Sequence, residues 1–523
     1  MSARHTRSLW LYGLEWTILI TIMILATFLR YWRIEEVPPG FNSDEAVGAI
    51  GALTTLRDGI QYSYEGQGGG GALGFYFAAA AFYLFGPSIA TMRGLAAWAS
   101  LVGLFAHYWA VREVFRTPTG SPKPQFLTNL NQARLIAILS TLGLAVSGWH
   151  LQVSRVAFAG IGVPFLMMPS VYFLWLGLNR HQAQASTPNR QGITAKWPFI
   201  VSGIFLGGLM YIYLSGMFVP PFYAAFFISQ WLIIIAARRL GNRPWIKWQL
   251  EPAQALMTSQ FWNLFATGLT AAILLLPIIF VLLTRPEIDP STTRVSQASF
   301  LNPTINNGDP WGLLWRSITG NFWAFGISPA WLVGQVPARL AVAPIIGFLT
   351  FAGFIVALWR GLRGQAAYLF VWLWFIILLL PSILAPDAIP HTLRAIGASN
   401  ATYILAAMAI VTLFELIWWL GRQVLAVRLS PPLSTWVTRG IGLIAGLVLL
   451  VVLWQSTASR LYGYFYLFPE TNDAKAAYHV YAVEMANEIN RESRPDAAFI
   501  LPRNTAAGEV FKNFTTEFLL ELE

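Results

Sequence analysis

The sequence predicts an all-α polytopic membrane protein with about 11 transmembrane helices. Hydrophobic residues make up 56% of its 523 residues, and the mean hydropathy is +0.55. Charged residues account for only 11%, whereas soluble domains usually carry about 25%. Cysteine is absent, which excludes disulfides, thiolate metal sites and a cysteine nucleophile.

Eleven apolar runs, separated by charged residues and by Pro or Gly clusters, approach the roughly 20 residues that a membrane span needs. They lie at 9–31, 87–112, 132–150, 160–179, 197–214, 217–237, 261–283, 340–359, 366–384, 396–420 and 440–459. A shorter run at 72–85 has 14 residues, a length typical of an interfacial or re-entrant helix.

The basic residues predict the orientation of the chain. With the N-terminus inside and 72–85 not crossing, more than half of the 34 Lys and Arg fall in the inner loops, and most acids fall outside. This asymmetry follows the positive-inside rule, so we expect a cell-membrane protein with an inner N-terminus and an outer C-terminus. The same distribution explains the net charge of +10 without a nucleic-acid partner.

The outer face receives the longer loops and the tail. We expect a transmembrane domain at 1–460, with outer loops at 32–86, 284–339 and 385–395, and a small outer C-terminal segment at 461–523. Apolar positions at helical spacing predict a helix over 473–491. Apolar runs at 497–501 and 516–520 predict strands, so the C-terminal segment is expected to be α/β.

The adjacent carboxylates Asp44 and Glu45 follow the first apolar run by about a dozen residues. Ionisable groups close to the membrane usually mark a functional site. The alternative is an ordinary helix N-terminus, because Ser43 and Asp44 also form a typical capping sequence.

A location on the outer face limits which activated donors a synthetic enzyme can use. ATP and nucleotide sugars are inside, so an outer synthetic enzyme needs an activated donor carried by lipid, such as a polyprenyl-phosphate sugar. Transfer of its sugar needs a carboxylate base, which Asp44 or Glu45 can supply. It also needs cations for the leaving phosphate, which Arg155, His391 and Arg394 can supply, and a groove between helices for the isoprenoid.

A series of motifs along residues 1–400 resembles the C-type integral-membrane glycosyltransferases, most nearly their protein-mannosyltransferase and aminoarabinose-transferase-like branch. The motifs are 41–46 with Asp44 and Glu45, 75–88, 92–94 with Arg93, 154–155 with Arg155, 211–213 with Tyr211, and 390–397 with His391 and Arg394.

The resemblance implies that Asp44 is the essential carboxylate and that Glu45 orients it or the acceptor. It implies donor-phosphate contacts for Arg155 and Arg394, and His391, Arg93 and Tyr211 complete the expected substrate-binding set. The expected partners are a polyprenyl-phosphate sugar, the lipid bilayer, and an acceptor hydroxyl on a protein, lipid or glycan.

Several alternatives remain open. Arg93 and Arg155 could snorkel to the interface, and His391 could be an ordinary loop residue. His391 with Asp44 or Glu45 could instead hold a divalent metal such as Mg, Mn or Zn. The other function classes are a non-catalytic subunit on a degenerate transferase scaffold and a transporter of lipid-linked material.

Overall fold

The structure, a computed structural model, describes residues 3–59, 71–116, 129–185, 196–240, 257, 261–284, 296–325, 342–425, 429–492 and 519. Its α-helices are α1 (Ala3–Tyr31), α2 (Ser43–Asp58), α3 (Ala72–Phe85), α4 (Ile89–Val114), α5 (Asn129–Ala145), α6 (Gly148–Ser154), α7 (Gly162–Ala185), α8 (Trp197–Gly208), α9 (Val219–Leu240), α10 (Phe261–Thr284), α11 (Ser296–Ala298), α12 (Pro303–Asn306), α13 (Pro310–Trp323), α14 (Pro344–Gly361), α15 (Ala366–Leu384), α16 (Ile396–Leu420), α17 (Pro431–Tyr462), α18 (Asn472–Ala477) and α19 (Val480–Glu492). The residues described contain no strand, which confirms the all-α polytopic prediction for this part of the chain.

Nine helices among the described residues are long and apolar enough to cross a membrane, or ten if one bent pair counts as a span. The expected span at 132–150 is that pair, since α5 and α6 meet at an angle of 60°. The Ser147 hydroxyl caps the second helix by accepting the His150 N–H, so a new helix begins within the run. The described residues therefore hold nine or ten candidate spans, in agreement with the prediction of about 11.

The expected span at 197–214 is also shorter than predicted. Helix α8 has 12 residues and ends at Gly208, and a 3₁₀ turn, Leu209–Tyr211, follows it. Paired glycines at 207–208 favour the end of the helix because glycine is a poor helix former. Helix α3, by contrast, has the 14 residues expected of a non-crossing helix.

The bundle is held by close helix contacts. Helix α4 packs on α7, and α14 packs on α16. At Gly353 of α14 a Cβ atom would lie 1.9 Å from the carbonyl oxygen of Leu405, so only glycine permits this approach. Small residues at such crossings bring helix backbones together and increase the packing contact.

Ionisable side chains within the bundle have partners. Glu15, near the start of the first span, pairs with Arg112 at 3.1 Å and with Arg134 at 3.0 Å. Glu415 of α16 likewise pairs with Arg360 of α14 at 2.5 Å. These pairs offset the cost of charge in an apolar environment.

Part of the C-terminal segment packs beside the start of α2. The helix expected over 473–491 is divided into α18 and α19, and the division falls at His479, whose φ is +48°. The expected strands at 497–501 and 516–520 lie outside the described residues, except for Leu519, which is helical. The domain division at residue 460 stays a prediction.

Candidate active site

The first turn of α2 carries the two carboxylates predicted to be functional. Asn42 is the N-cap: its side chain accepts the Asp44 N–H, and the Glu45 carboxylate accepts the Asn42 N–H at 3.0 Å. This reciprocal arrangement is a capping box, and the two acids complement the positive end of the helix dipole. The cap is Asn42 and not Ser43 or Asp44 as predicted, so both acids lie within the first turn of α2.

Glu45 is fully buried beneath this turn. Its Oε1 accepts the Arg93 Nε–H at 2.9 Å and the Ala157 N–H at 3.0 Å, and its Oε2 accepts the Arg93 Nη2–H at 3.1 Å. Because both carboxylate oxygens of Glu45 already accept hydrogen bonds from protein groups, Glu45 is poorly placed to accept a proton from a substrate. Glu45 instead holds α2 against α4 and residue 157.

Arg93 of α4 is fully buried and directed at the backbone of the loop between α1 and α2. Besides Glu45, its guanidinium donates to the carbonyls of Pro38 at 2.9 Å and Gly40 at 2.7 Å. The expected substrate contact would require these bonds to break. The structure places Arg93 as the buried counterion of Glu45, so it does not snorkel to the interface.

Arg155, which was expected to contact the donor phosphate, also donates to the protein backbone in this structure. All five of its N–H groups donate to backbone carbonyls of residues 29, 30, 32, 33 and 37. The last carbonyls of a helix have no partner within it, and here Arg155 supplies donors to the end of α1. Phe465 covers the guanidinium at 4.8 Å. The structure thus makes Arg155 a cap of α1, and its N–H groups are engaged there.

Asp44 differs from Glu45 because it is exposed and lines a cavity of about 120 Å³. The cavity wall is largely apolar and includes Phe75, Phe77, Trp98, Phe158, Phe165 and Leu393. Trp98 is 46% exposed, so the cavity reaches the apolar surface of the bundle. A carboxylate at the edge of such a cavity can act on a polar group whose hydrocarbon tail occupies the apolar part.

His391 and Arg394 lie on the loop between α15 and α16, next to Leu393 of the cavity wall. Arg394 forms a two-point ion pair with Asp387 and donates to the Ala385 carbonyl at 2.7 Å. His391 is buried, and its backbone N–H donates to the Ser382 hydroxyl at 2.8 Å. Burial, assisted by the Arg394 cation, lowers the pKa of His391 to about 4, although Asp387 opposes this shift.

Tyr211 lies beside the cavity without lining it, whereas Tyr213 lines it. The Tyr211 hydroxyl donates to the Leu274 carbonyl at 2.6 Å and accepts the Ile278 N–H at 3.3 Å. These two backbone groups are a helical i, i+4 pair, so the hydroxyl is inserted into α10 next to Pro277. Tyr211 therefore serves the backbone of α10 in this structure.

The sequence does not predict a hydrogen-bonded group near the start of α2 that consists of Ser43, His479 and Tyr481. The Ser43 hydroxyl lies 2.9 Å from His479 Nε2, and His479 Nδ1 lies 3.2 Å from the Tyr481 hydroxyl. His479 is 436 residues beyond Ser43, and no local pattern signals that they meet. Only the fold brings the C-terminal segment to the first turn of α2.

The possible metal site is not supported by the residues described. Among them, no three His, Cys, Asp or Glu side chains lie close enough to hold a metal. Glu45 is paired with Arg93, and His391 Nδ1 faces the Arg394 N–H at 3.4 Å. The ligand set expected from Asp44, Glu45 and His391 therefore does not assemble in this part of the chain.

No family model matches the chain, and no curated protein matches it either. Solved structures do match its fold. The archaeal oligosaccharyltransferase AglB from Archaeoglobus fulgidus, in complex with an inhibitory peptide and a dolichol-phosphate, has a TM-score of 0.51 at 14% identity. That match covers 97% of this chain and 60% of AglB, so the chain spans less than two thirds of the AglB length.

Two further solved structures show weaker similarity. ArnT from Cupriavidus metallidurans, bound to undecaprenyl phosphate, has a TM-score of 0.48 at 13% identity, and the match covers 97% of this chain and 85% of ArnT. The S. cerevisiae protein O-mannosyltransferase Pmt1-Pmt2 complex, bound to the sugar donor, has a TM-score of 0.34 at 14% identity, and the match covers 51% and 32% of the two chains. The similarity to the AglB structure confirms the fold that the sequence resemblance implied.

Proposed function

We propose that this protein is a glycosyltransferase that moves a hexose or pentose from a polyprenyl-phosphate donor to an acceptor hydroxyl at the outer membrane face. The observation that carries the proposal is the position of Asp44, an exposed carboxylate at the edge of an apolar cavity. The dolichol-phosphate in the AglB structure supports a polyprenyl phosphate as the lipid part of the donor.

The proposed reaction is a single displacement with inversion at the anomeric carbon. The acceptor oxygen forms a bond to C1 of the sugar on one face, while the bond from C1 to the phosphate oxygen breaks on the other. The acceptor proton passes to the Asp44 carboxylate, and polyprenyl phosphate leaves with the bonding electron pair. Glu45 and Arg93 hold α2, and so the carboxylate, in place.

Arg394 is the best placed of the predicted cations for the leaving phosphate. Its neighbour Leu393 lines the cavity, and its partner Asp387 is on an exposed part of the loop. A phosphate that arrives with the donor can replace the Asp387 carboxylate as its partner, since guanidinium groups bind both in a two-point manner. Arg93 and Arg155 are not assigned this role because their N–H groups are already engaged.

The location and the acceptor complete the proposal. We place the protein in the cell membrane with its N-terminus inside and its C-terminus outside, on the basis of the basic residues in the expected inner loops. The acceptor hydroxyl is on a protein, a lipid or a glycan.

The test is donor consumption by the full-length protein in proteoliposomes. Undecaprenyl-phosphate-linked mannose, glucose and aminoarabinose would be supplied with a membrane extract as acceptor, and released undecaprenyl phosphate would be measured. We expect Asp44→Asn to lower the release at least about 10²-fold, the lower limit for loss of a general base. Asp58→Asn, which changes an exposed acid at the other end of α2, should leave the rate unchanged.

Full activity in Asp44→Asn would contradict the assignment of the base. Absence of release by the wild-type protein with every donor, together with co-purification of a partner at fixed stoichiometry, would favour the alternative of a non-catalytic subunit.

A further inference from the structure

The segment 477–481, here called the C-terminal clasp, contacts the chain just before Asp44. The Phe41 N–H donates to the Tyr478 carbonyl at 2.8 Å, and the Asn42 side-chain amide donates to the Ala477 carbonyl at 2.6 Å. Asn42 is also the N-cap of α2. The clasp is therefore attached to the residue that determines where α2 begins.

Gly40 shows how closely the two segments approach. Its φ is +69°, and a Cβ atom there would lie 2.2 Å from the Tyr478 carbonyl oxygen. Both the left-handed conformation and the missing space require glycine at this position. The contact between the clasp and the start of α2 is thus a built part of the fold.

His479 projects from the clasp towards the first turn of α2. Its backbone is left-handed, with φ of +48°, which is uncommon for residues other than glycine. In this conformation its Nε2 lies 2.9 Å from the Ser43 hydroxyl, and its Nδ1 lies 3.2 Å from the Tyr481 hydroxyl. Uncommon backbone conformations of this kind often occur at functional sites, where the surrounding structure holds them.

We propose that His479 is a positioning residue for Asp44 and acts through its hydrogen bond to the Ser43 hydroxyl. This inference rests on the proposed function, in which Asp44 is the base. Ser43 directly precedes Asp44 in the first turn of α2, so a contact that fixes Ser43 also limits the directions available to the Asp44 carboxylate. The clasp would thereby bring the far end of the chain into the active site.

The charge of Asp44 reaches the imidazole, as expected if the two groups are neighbours. Burial lowers the pKa of His479, and the Asp44 carboxylate partly offsets this effect. The neutral imidazole has one donor and one acceptor nitrogen, which matches its two hydroxyl partners in either tautomer.

Two substitutions separate this role from a purely structural one. Gln can place an amide nitrogen near the position of Nε2 and so keep the bond to Ser43, but it adopts the left-handed conformation poorly. Asn adopts that conformation readily, but its amide reaches only the position of Nδ1. If the bond to Ser43 matters, His479→Gln should be more active than His479→Asn. If only the left-handed backbone conformation matters, His479→Asn should be the more active variant.

If His479 positions Asp44, His479→Gln should retain kcat to within about threefold, and His479→Asn should lower it about tenfold, the effect of one lost hydrogen bond. KM for the undecaprenyl-phosphate sugar should change little in either variant, because the cavity is intact. Lys475→Gln, an exposed change on α18, is the control for general disturbance of the tail. The proposal is overturned if His479→Asn is as active as the wild type, or if His479→Gln loses as much kcat.

Hydrogen exchange of the amides at 42–48 gives a second result that does not depend on turnover. The contact predicts faster exchange in His479→Asn than in His479→Gln, and equal or reversed exchange would overturn it. If the wild-type protein releases no undecaprenyl phosphate, the proposed function fails, while the exchange order still decides whether His479 fixes the first turn of α2.

Discussion

At the scale of single residues, three buried arginines show which hydrogen-bond partners stabilise a cation near the membrane. Arg93 finds a carboxylate, whereas Arg155 finds backbone carbonyls, and Arg30 combines the Ala26 and Ala145 carbonyls with Ser100 and His150. Burying a cation is costly unless its donors are satisfied. Helix ends supply unpaired carbonyls for this purpose, and Arg155 donates to those at the end of α1.

The ion pair of Glu45 and Arg93 predicts that loss of the Glu45 charge destabilises the fold. Glu45→Gln leaves the Arg93 cation buried without a counterion, so we expect a loss of about 3–5 kcal/mol in unfolding free energy. Thermal unfolding in detergent would detect this loss. The double variant Glu45→Gln/Arg93→Met should be less destabilised than Glu45→Gln alone, because it removes the stranded charge. Additive losses would show that the pair is not coupled.

His391 predicts a dependence of stability on pH. Its pKa is about 4 in the folded protein and 6.5 without the fold, so the unfolded chain binds the proton more readily between these values. The stability that the protein owes to neutral His391 is fully present above pH 6.5. It is lost as the pH falls to 4, and a pKa shift of this size corresponds to about 3 kcal/mol of unfolding free energy.

The measurement is the melting temperature of wild type and His391→Asn across that pH range. Asn keeps an acceptor near the position of Nδ1 and does not titrate, so its melting temperature should fall less on acidification. Parallel curves for the two proteins would argue against a buried neutral His391.

At the scale of secondary-structure elements, helix ends position the polar groups of the site. The end of α1 is capped by Arg155, and the start of α2 is capped by Asn42. Helix α3 stops after 14 residues and α8 after 12, and the turns that follow α8 reach the cavity through Tyr213. The start of α2 and the N-cap of α3, Gly71, also line the cavity, so helix ends contribute to its wall.

The crossing of α14 and α16 offers a test of packing. Gly353→Ala would place a Cβ atom 1.9 Å from the Leu405 carbonyl oxygen and force the helices apart. We expect a loss of about 3 kcal/mol, the upper end for overpacked cores, seen as a lower melting temperature. Gly440→Ala is the matched control, since no atom lies within 4 Å of its added Cβ. An unchanged melting temperature in Gly353→Ala would mean that the helices are not in close contact.

At the scale of the whole molecule, the site is assembled from distant parts of the chain. The cavity wall combines residues of α2, α3, α4 and α7 with Leu393 from the loop before α16. The C-terminal clasp adds His479 from beyond the last long helix. An apolar cavity and a polar rim therefore meet at Asp44 only after the helices have packed.

Filling the cavity should weaken lipid binding without harming the fold. Gly74 of α3 lines the cavity, and nothing lies within 4 Å of a Cβ added there, so Gly74→Leu projects into open space. We expect affinity for undecaprenyl phosphate, measured by native mass spectrometry, to fall about tenfold or more, since the added side chain excludes part of the isoprenoid. Gly268→Leu on α10 also has open space but does not line the cavity, so it is the control. Equal affinity of the two variants for undecaprenyl phosphate would show that the lipid tail does not occupy this cavity.

The sequence by itself determined the membrane class, the approximate spans, the interfacial length of α3 and the approximate start of α2, because hydropathy and capping act over a few neighbouring residues. Only the tertiary structure decided that Glu45, Arg93 and Arg155 hold the chain, that Asp44 faces a cavity, and that His479 meets Ser43. Those outcomes depend on which partner satisfies each buried donor, and the partners are backbone carbonyls and side chains up to hundreds of residues away.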